Sequence, residues 1–283
     1  MKTLRIGGVP EHFNLPWHLC MEEGDFSYEH LTVTWRDFPD GTGAMNKALR
    51  NNEIDVAIIL TEGIIKDIHD GNPSKIIQTY VESPLIWGVH VSDGSKYTSL
   101  AELEHTKAAI SRPGSGSQLM AYVNAKNQGW DLSKLEFEVV GTIEDAVKAL
   151  KFDTAQYFMW EHFTTKPFVD RGIFKRVADC PTPWPCFMMA ATNEIIRNNP
   201  RELKKMLDVI NAKTTSFKEI PDIAELLATR YDQKIRDIKA WMDVTAWSQY
   251  EFTKEEMEKT QNSLLDLNLI SKKLSYTDIF HSI

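Results

Sequence analysis

The sequence predicts an α/β fold built as two lobes, and three observations carry that prediction. The apolar period switches repeatedly between the two-residue repeat of strands and the 3.6-residue repeat of helices. Strand-then-helix alternation of this kind produces mixed, mainly parallel sheets with flanking helices, because parallel strands need crossover helices. Two comparable segments, about residues 1–88 and 89–186, each open with a strand followed by a glycine-containing turn into a helix. The last hundred residues then change to an almost wholly helical character and have no sheet of their own. They must pack back on an earlier lobe, so residues 1–88 with 187–283 are expected to form lobe 1 and residues 89–186 lobe 2. Ile86–Val91 and Thr182–Met188 would be the two crossings, and a ligand cleft is expected between the lobes.

In chain order, the strands are predicted at Leu4–Val9, Leu31–Phe38, Asp55–Leu60, Lys75–Val81, Trp87–Val91, Lys107–Ser111, Leu135–Val140, Gln156–Trp160 and Phe187–Thr192. Helices are predicted at Leu15–Glu23, Gly43–Asn51, Gly63–Asp70, Gly116–Gln128 and Ile143–Lys151. In the tail they fall at Arg201–Phe217, Ile223–Tyr231, Ile235–Val244 and Lys254–Leu267. Pro200 and Pro221 sit where a helix start tolerates a residue with no amide hydrogen.

Composition narrows the function. The chain has 283 residues, with 32 Lys+Arg against 40 Asp+Glu, a net charge of −8. A nucleic-acid or anionic-membrane surface demands clustered positive charge, so neither is an expected partner. No apolar run approaches the roughly 20 residues that span a bilayer. Met1 leads directly into a strand, with no stretch resembling a secretory signal, so a cytoplasmic location is expected, or a periplasmic one if a signal has been removed. Cys20, Cys180 and Cys186 are too few for a disulfide scaffold. Cys180 and Cys186 could pair, but free thiols are the expected state.

The strongest local signal is Ser111-Arg112-Pro113-Gly114-Ser115-Gly116-Ser117, between a predicted strand and a predicted helix. Ser115 or Ser117 can cap that helix, and its free amides with the helix dipole form an anion-sized pocket. The loop reads equally as a plain capped turn, and it is not a Walker loop, since no Gly-Lys-Ser/Thr follows. Three further junctions resemble it: Asp40-Gly41-Thr42-Gly43, the Val9–Leu15 stretch with His12 and Asn14, and Thr61-Glu62-Gly63. All four lie at the carboxyl ends of predicted strands, where α/β folds bind ligands. Trp17, Tyr80, Trp87, Trp160 and Trp184 lie within or beside these junctions, and Trp160, at a strand end, is the best placed to offer a flat wall to a planar ligand. Trp87, Trp241 and Trp247 read as packing residues. Glu62 and Glu161 are candidate acceptors for an amino group, or else salt-bridged or solvated strand ends.

Signatures of catalysis are thin. There is no His-Glu-x-x-His, paired Cys-x-x-Cys or Gly-x-Ser-x-Gly. No cofactor, metal or catalytic residue is therefore assigned.

The stretches Leu4–Trp17, Asp40–Leu49, Glu53–Ala57, Ser111–Ser117, Thr142–Leu150 and Gln156–Glu161 together resemble the type II periplasmic-binding-protein fold. The likeness is to the branch holding nitrate, sulfonate and taurine transporter binding proteins and proteins of thiamine-pyrimidine precursor binding and synthesis. It covers nearly the whole chain. It implies two lobes that close by a hinge on a small molecule, with His12, Thr42, Gly43, Thr61, Ser115, Gly116, Ser117 and Trp160 lining the cleft. The fungal pyrimidine-precursor synthases of that superfamily carry a cysteine-rich iron-binding run, which has no counterpart here. The leading expectation is thus a non-catalytic solute-binding protein for a small polar ligand, a sulfonate or other anion or a thiamine-related aminopyrimidine. The alternative is an enzyme of pyrimidine or thiamine-precursor metabolism, with His12 as acid or base. A transporter or regulatory partner is conceivable on this fold, although the sequence marks no surface for one.

Overall fold

The strands assemble into two five-stranded sheets of the same design. In the computed structural model, which describes residues 3–283, the strands are β1 (Thr3–Gly8), β2 (Thr32–Asp37), β3 (Val56–Leu60), β4 (Ser74–Val81), β5 (Ile86–Ser92), β6 (Lys107–Ile110), β7 (Glu136–Val139), β8 (Tyr157–Glu161), β9 (Phe174–Pro181) and β10 (Phe187–Thr192). Met1 and Lys2, which open the first lobe of the sequence reading, lie outside the described residues. One sheet has the order β2-β1-β3-β10-β4 and the other β7-β6-β8-β5-β9. In each, the first three strands are parallel and the fourth runs against both of its neighbours.

The chain divides into two compact units. Residues up to Pro84 join Pro183–Ile283 in unit 1, and Leu85–Thr182 form unit 2. The reversed strand of each sheet, β10 or β5, is the first strand after the chain enters that unit. The sequence reading places the changes at 88 and 186, each four residues later than 84 and 182. Ile86–Val91 is not a crossing, because it is the body of β5, hydrogen-bonded to β8 on one side and β9 on the other. The second predicted crossing divides as well. Thr182 belongs to unit 2, where its amide donates to Leu85 O (3.0 Å) and its hydroxyl accepts from Leu85 N (3.0 Å). Phe187 and Met188 already belong to β10.

Unit 1 buries its central strands on both faces, with Leu4 and Ile6 of β1, Val56, Ala57, Ile58 and Ile59 of β3, and Met188, Met189 and Ala190 of β10 fully buried. Asp55, buried just before β3, accepts from Arg5 Nε (2.9 Å), Arg5 Nη2 (2.7 Å) and the Arg5 amide (2.9 Å). This charge-assisted pairing offsets the desolvation cost of a buried carboxylate. The tail helices belong to this unit. Helix Pro200–Ser216 buries Leu203, Met206 and Ile210, and helix Ile235–Val244 buries Ile238 and Trp241.

Unit 2 is centred on Ala109, Ala146, Ala149, Leu150, Phe158 and Phe174. Its edge strand β9 is absent from the sequence-based assignment. Lys175, Arg176 and Asp179 break the apolar alternation there, and the strand is mostly half-buried, so its pattern is that of an edge rather than a core strand. Cys20, Cys180 and Cys186 are all buried thiols outside any disulfide. Among the described residues no helix is long and apolar enough to cross a membrane.

Candidate functional site

In unit 2 the parallel strand β6 ends at Ile110, and helix Gly116–Gln128 begins six residues later. The intervening loop satisfies most of its own polar groups. Ser115 Oγ accepts from Gln118 N (3.4 Å), Gln118 Oε1 accepts from Gly114 N (2.7 Å), and Ser117 Oγ accepts from Ser111 N (3.0 Å). The Ser115 and Ser117 hydroxyls lie 3.0 Å apart. The first-turn amides of Gly116 and Ser117 have no acceptor among the described residues. They point along the positive end of a 13-residue helix.

A tryptophan completes this arrangement. Trp87, near the start of β5, lies against the helix start, its ring 2.9 Å from where a Cβ on Gly116 would stand. Only glycine permits that approach. Trp87 is 6% exposed and its Nε1 has no hydrogen-bond partner. Burying an indole N–H without an acceptor is costly, so this is a donor in want of a ligand or solvent. The sequence reading places Trp87 among packing residues. Its role follows from the antiparallel pairing of β5 with β8, which sets Trp87 opposite Glu161 at the carboxyl end of β8. Trp160 is half-buried there, stacked on Phe158 with centroids 5.7 Å apart and tilted against Trp87 at 6.2 Å. Arg112 is exposed on the loop.

Glu161 is no open acceptor. Its Oε2 takes the amide of Thr164 (2.6 Å), and the Phe163 amide also reaches it, so the carboxyl caps the turn that follows β8. Burial pushes its pKa up, and those two amides pull it back down.

In unit 1 three helix starts follow β1, β2 and β3. The short helical turn His12–Asn14 leads into helix Leu15–Glu22, Gly41 precedes helix Thr42–Arg50, and Leu60 passes directly into helix Thr61–His69. The last two touch, since the Thr42 methyl fills the space where a side chain on Gly63 would stand. Gly43 is exposed in the first turn of its helix. Thr61 Oγ1 donates to Pro185 O (2.5 Å) and Thr61 N to Cys186 O (3.2 Å), which ties the helix start to the returning chain. Glu62 is 6% exposed, and its Oε2 accepts from Trp184 Nε1 at 2.8 Å. Burial raises the Glu62 carboxyl to about 7. It is neither a strand end nor a surface ion pair, because it sits at the second position of a helix, inside the unit.

Asn14 is fully buried, its Nδ2 donating to Val9 O (2.8 Å) while Oδ1 finds no donor. His12 is 2% exposed, packed against Phe13, Tyr231 and Trp241, with Nε2 unpaired. Burial lowers its pKa to about 3. The imidazole is therefore neutral at pH 7.

Two predicted ligand residues do not join these groups. Trp17 is buried against Phe26, Trp35 and Tyr80, and the Tyr80 hydroxyl donates to Phe13 O (2.9 Å). Both are fully buried in the core of unit 1. A cavity of about 560 Å³ lies elsewhere in unit 1, between helices Asp25–Tyr28 and Pro200–Ser216. Its Lys213 is already paired with Glu23 (2.6 Å) and Asp25 (2.9 Å).

Comparison with known proteins gives a consistent likeness. A family model described as Ca3427-like PBP matches residues 87–180. The Candida albicans CA3427 gene product, described as defining a new family with the generic periplasmic binding protein fold, is 25% identical, with coverage of 100% of this chain and 97% of that chain and a TM-score of 0.89. The periplasmic aliphatic sulphonate binding protein SsuA from Escherichia coli is 17% identical, over 100% of this chain and 93% of that chain, with a TM-score of 0.77. The periplasmic nitrate-binding protein NrtA from Synechocystis PCC 6803 is 15% identical, over 99% and 86%, with a TM-score of 0.71. No curated protein matches the chain in sequence.

Proposed function

Given that this chain carries the type II periplasmic-binding-protein-like fold, we propose that it is a solute-binding protein for a small molecule with an anionic oxo group. One observation carries the reading. The start of helix Gly116–Gln128 holds the unpaired amides of Gly116 and Ser117 and two serine hydroxyls, and the ring edge of Trp87, whose buried Nε1 is unpaired, lies against it. The amides, the indole N–H and one of the two hydroxyls can donate, the other hydroxyl donating to its neighbour, and a sulfonate, carboxylate or phosphate oxygen accepts from several donors at once. The structural likeness to sulphonate- and nitrate-binding proteins supports the same class of ligand. Trp160, in the same unit and tilted against Trp87, is proposed as an aromatic wall beside these donors.

The reading is tested by thermal shift on the purified protein with nitrate, alkyl sulfonates, phosphate esters and aminopyrimidines, since a ligand selective for the folded state raises its melting temperature. A sulfonate, carboxylate or phosphate ester is expected to give a concentration-dependent rise. Ser117→Asp sets a carboxylate beside the two amides, so it is expected to weaken that binding at least tenfold. Equal affinity in parent and Ser117→Asp would remove the helix start from the site.

A further inference from the structure

A buried carboxyl stands close to the helix start of unit 2. The pairing of β5 with β8 sets Glu161 directly opposite Trp87, so both side chains leave the same face of the sheet. The Cβ atoms of such a pair lie about 4.5–5.5 Å apart. Trp87 carries the unpaired indole N–H and rests its ring edge against Gly116, and Glu161 is 5% exposed. The carboxyl is therefore one side chain away from the donors assigned to the anion. Its own partners are uncharged, since Oε2 accepts from Thr164 N (2.6 Å) and the Phe163 amide also reaches it. Among the described residues no lysine or arginine pairs with it, whereas the buried Asp55 of unit 1 holds the Arg5 guanidinium.

Resting on the anionic-solute reading above, we propose that Glu161 sets the charge this site accepts: the anionic solute binds together with a proton, which Glu161 takes up. An anion on the Gly116 and Ser117 amides and a carboxylate across the strand pair repel each other in a dry interior, where charges interact far more strongly than in water. A buried group so placed is neutralised rather than left charged. The proton comes from solvent and rests on Oε1, which leaves Oε2 on the Thr164 amide. Burial already raises the Glu161 pKa, and a bound anion raises it further. The solute then binds most tightly below the ligand-free pKa, where the acid is neutral in both states. Affinity falls as pH rises from there to the ligand-bound pKa. Cys180, opposite Trp87 on β9, is pushed up to about 11 by burial, and the buried His90, bonded to Thr165 in the turn after β8, is lowered to about 3. Neither changes charge between about pH 5 and pH 9. Arg112 on the loop and Arg176, which donates to His162 O (2.6 Å), stay cationic, and Lys166 is paired with Asp170. His162 follows Glu161 in the chain and bonds Asp179 (2.8 Å), so its protonation is the one to separate from that of Glu161.

Ethanesulfonate, nitrate and dimethyl phosphate test this, because each keeps a single negative charge from about pH 5 to about pH 9. Affinities for the full chain are measured by isothermal titration in amine buffers across that range, and proton uptake by pH-stat titration of the unbuffered protein. For a probe that binds, the parent is expected to lose affinity at least tenfold from the acid to the alkaline end and to take up protons on binding. Glu161→Gln, its fold confirmed by circular dichroism, is expected to vary less than twofold and to take up none. His162→Gln is expected to keep the full pH dependence, and it carries the test alone if Glu161→Gln does not fold. Affinity independent of pH in the parent, with no proton uptake, overturns the inference while leaving the anionic-solute reading in place. A pH dependence that survives in Glu161→Gln, or that disappears in His162→Gln, also overturns it. Failure of every probe to bind the folded parent at any pH defeats the anionic-solute reading and this inference with it.

Discussion

Glu62→Gln is expected to be more stable than the parent protein at pH 8 and equal to it near pH 4. In the folded chain burial holds the Glu62 carboxyl at about 7, whereas in the unfolded chain it titrates near the ordinary value of about 4.3. Between those values the folded state keeps a proton that the unfolded state has released. Stability therefore falls as pH rises from about 4.3 to about 7 and is flat above that range. The destabilisation at pH 8 is on the order of 4 kcal/mol, from roughly 1.4 kcal/mol per pKa unit. Glutamine removes the titration and keeps an acceptor for Trp184. His12 and His90 work in the opposite sense. Burial lowers both to about 3, so their contribution is present above about 6.5 and is lost as pH falls toward 3. Both histidines are present in parent and variant, so the difference between the two isolates Glu62. Urea unfolding of both proteins at pH 4, 6 and 8 measures it, and a difference that does not change with pH would contradict the buried environment of this carboxyl.

Trp241→Ala is expected to destabilise unit 1 by about 3–5 kcal/mol, the usual cost of emptying a buried tryptophan site. Trp241 is 1% exposed, and its ring lies 4.2 Å from that of His12, 5.1 Å from Phe13 and 5.6 Å from Trp247, centroid to centroid. Removing it empties the space behind the turn that carries His12 and Asn14. Amide hydrogen exchange through residues 12–14 is therefore expected to accelerate along with the loss of stability. A cost below about 1 kcal/mol, with unchanged exchange there, would show that the tail helix does not brace the turn as these ring contacts require.

Some parts of the site are legible in sequence because they depend on near neighbours. Ser115 caps helix Gly116–Gln128 from one residue away, and the glycines on either side of it mark the tight turn. The Thr61–Glu62 junction follows an unbroken apolar strand, and that adjacency alone places both residues at a helix start. Other parts are not legible. Trp87 becomes a donor beside Gly116 only through the pairing of β5 with β8, across a sequence separation that no local pattern reports. Glu161 looks the equal of Glu62 in sequence, yet the turn after β8 folds back on its carboxyl and occupies it. Trp17 and Tyr80 stand beside candidate junctions in the chain, but their side chains point into the core of unit 1.

Local chemistry therefore determines the alternation of strands and helices, the junctions and their caps, because hydrophobic period and capping act over a few residues. The tertiary structure alone decides which polar groups find partners. That depends on which distant segments meet, as Arg5 meets Asp55 and Trp184 meets Glu62. Burial then sets the energetic weight of what remains unpaired, since a donor or acceptor that water would satisfy at the surface becomes costly inside. The functional reading rests on that second level, on the unmatched donors at Gly116, Ser117 and Trp87.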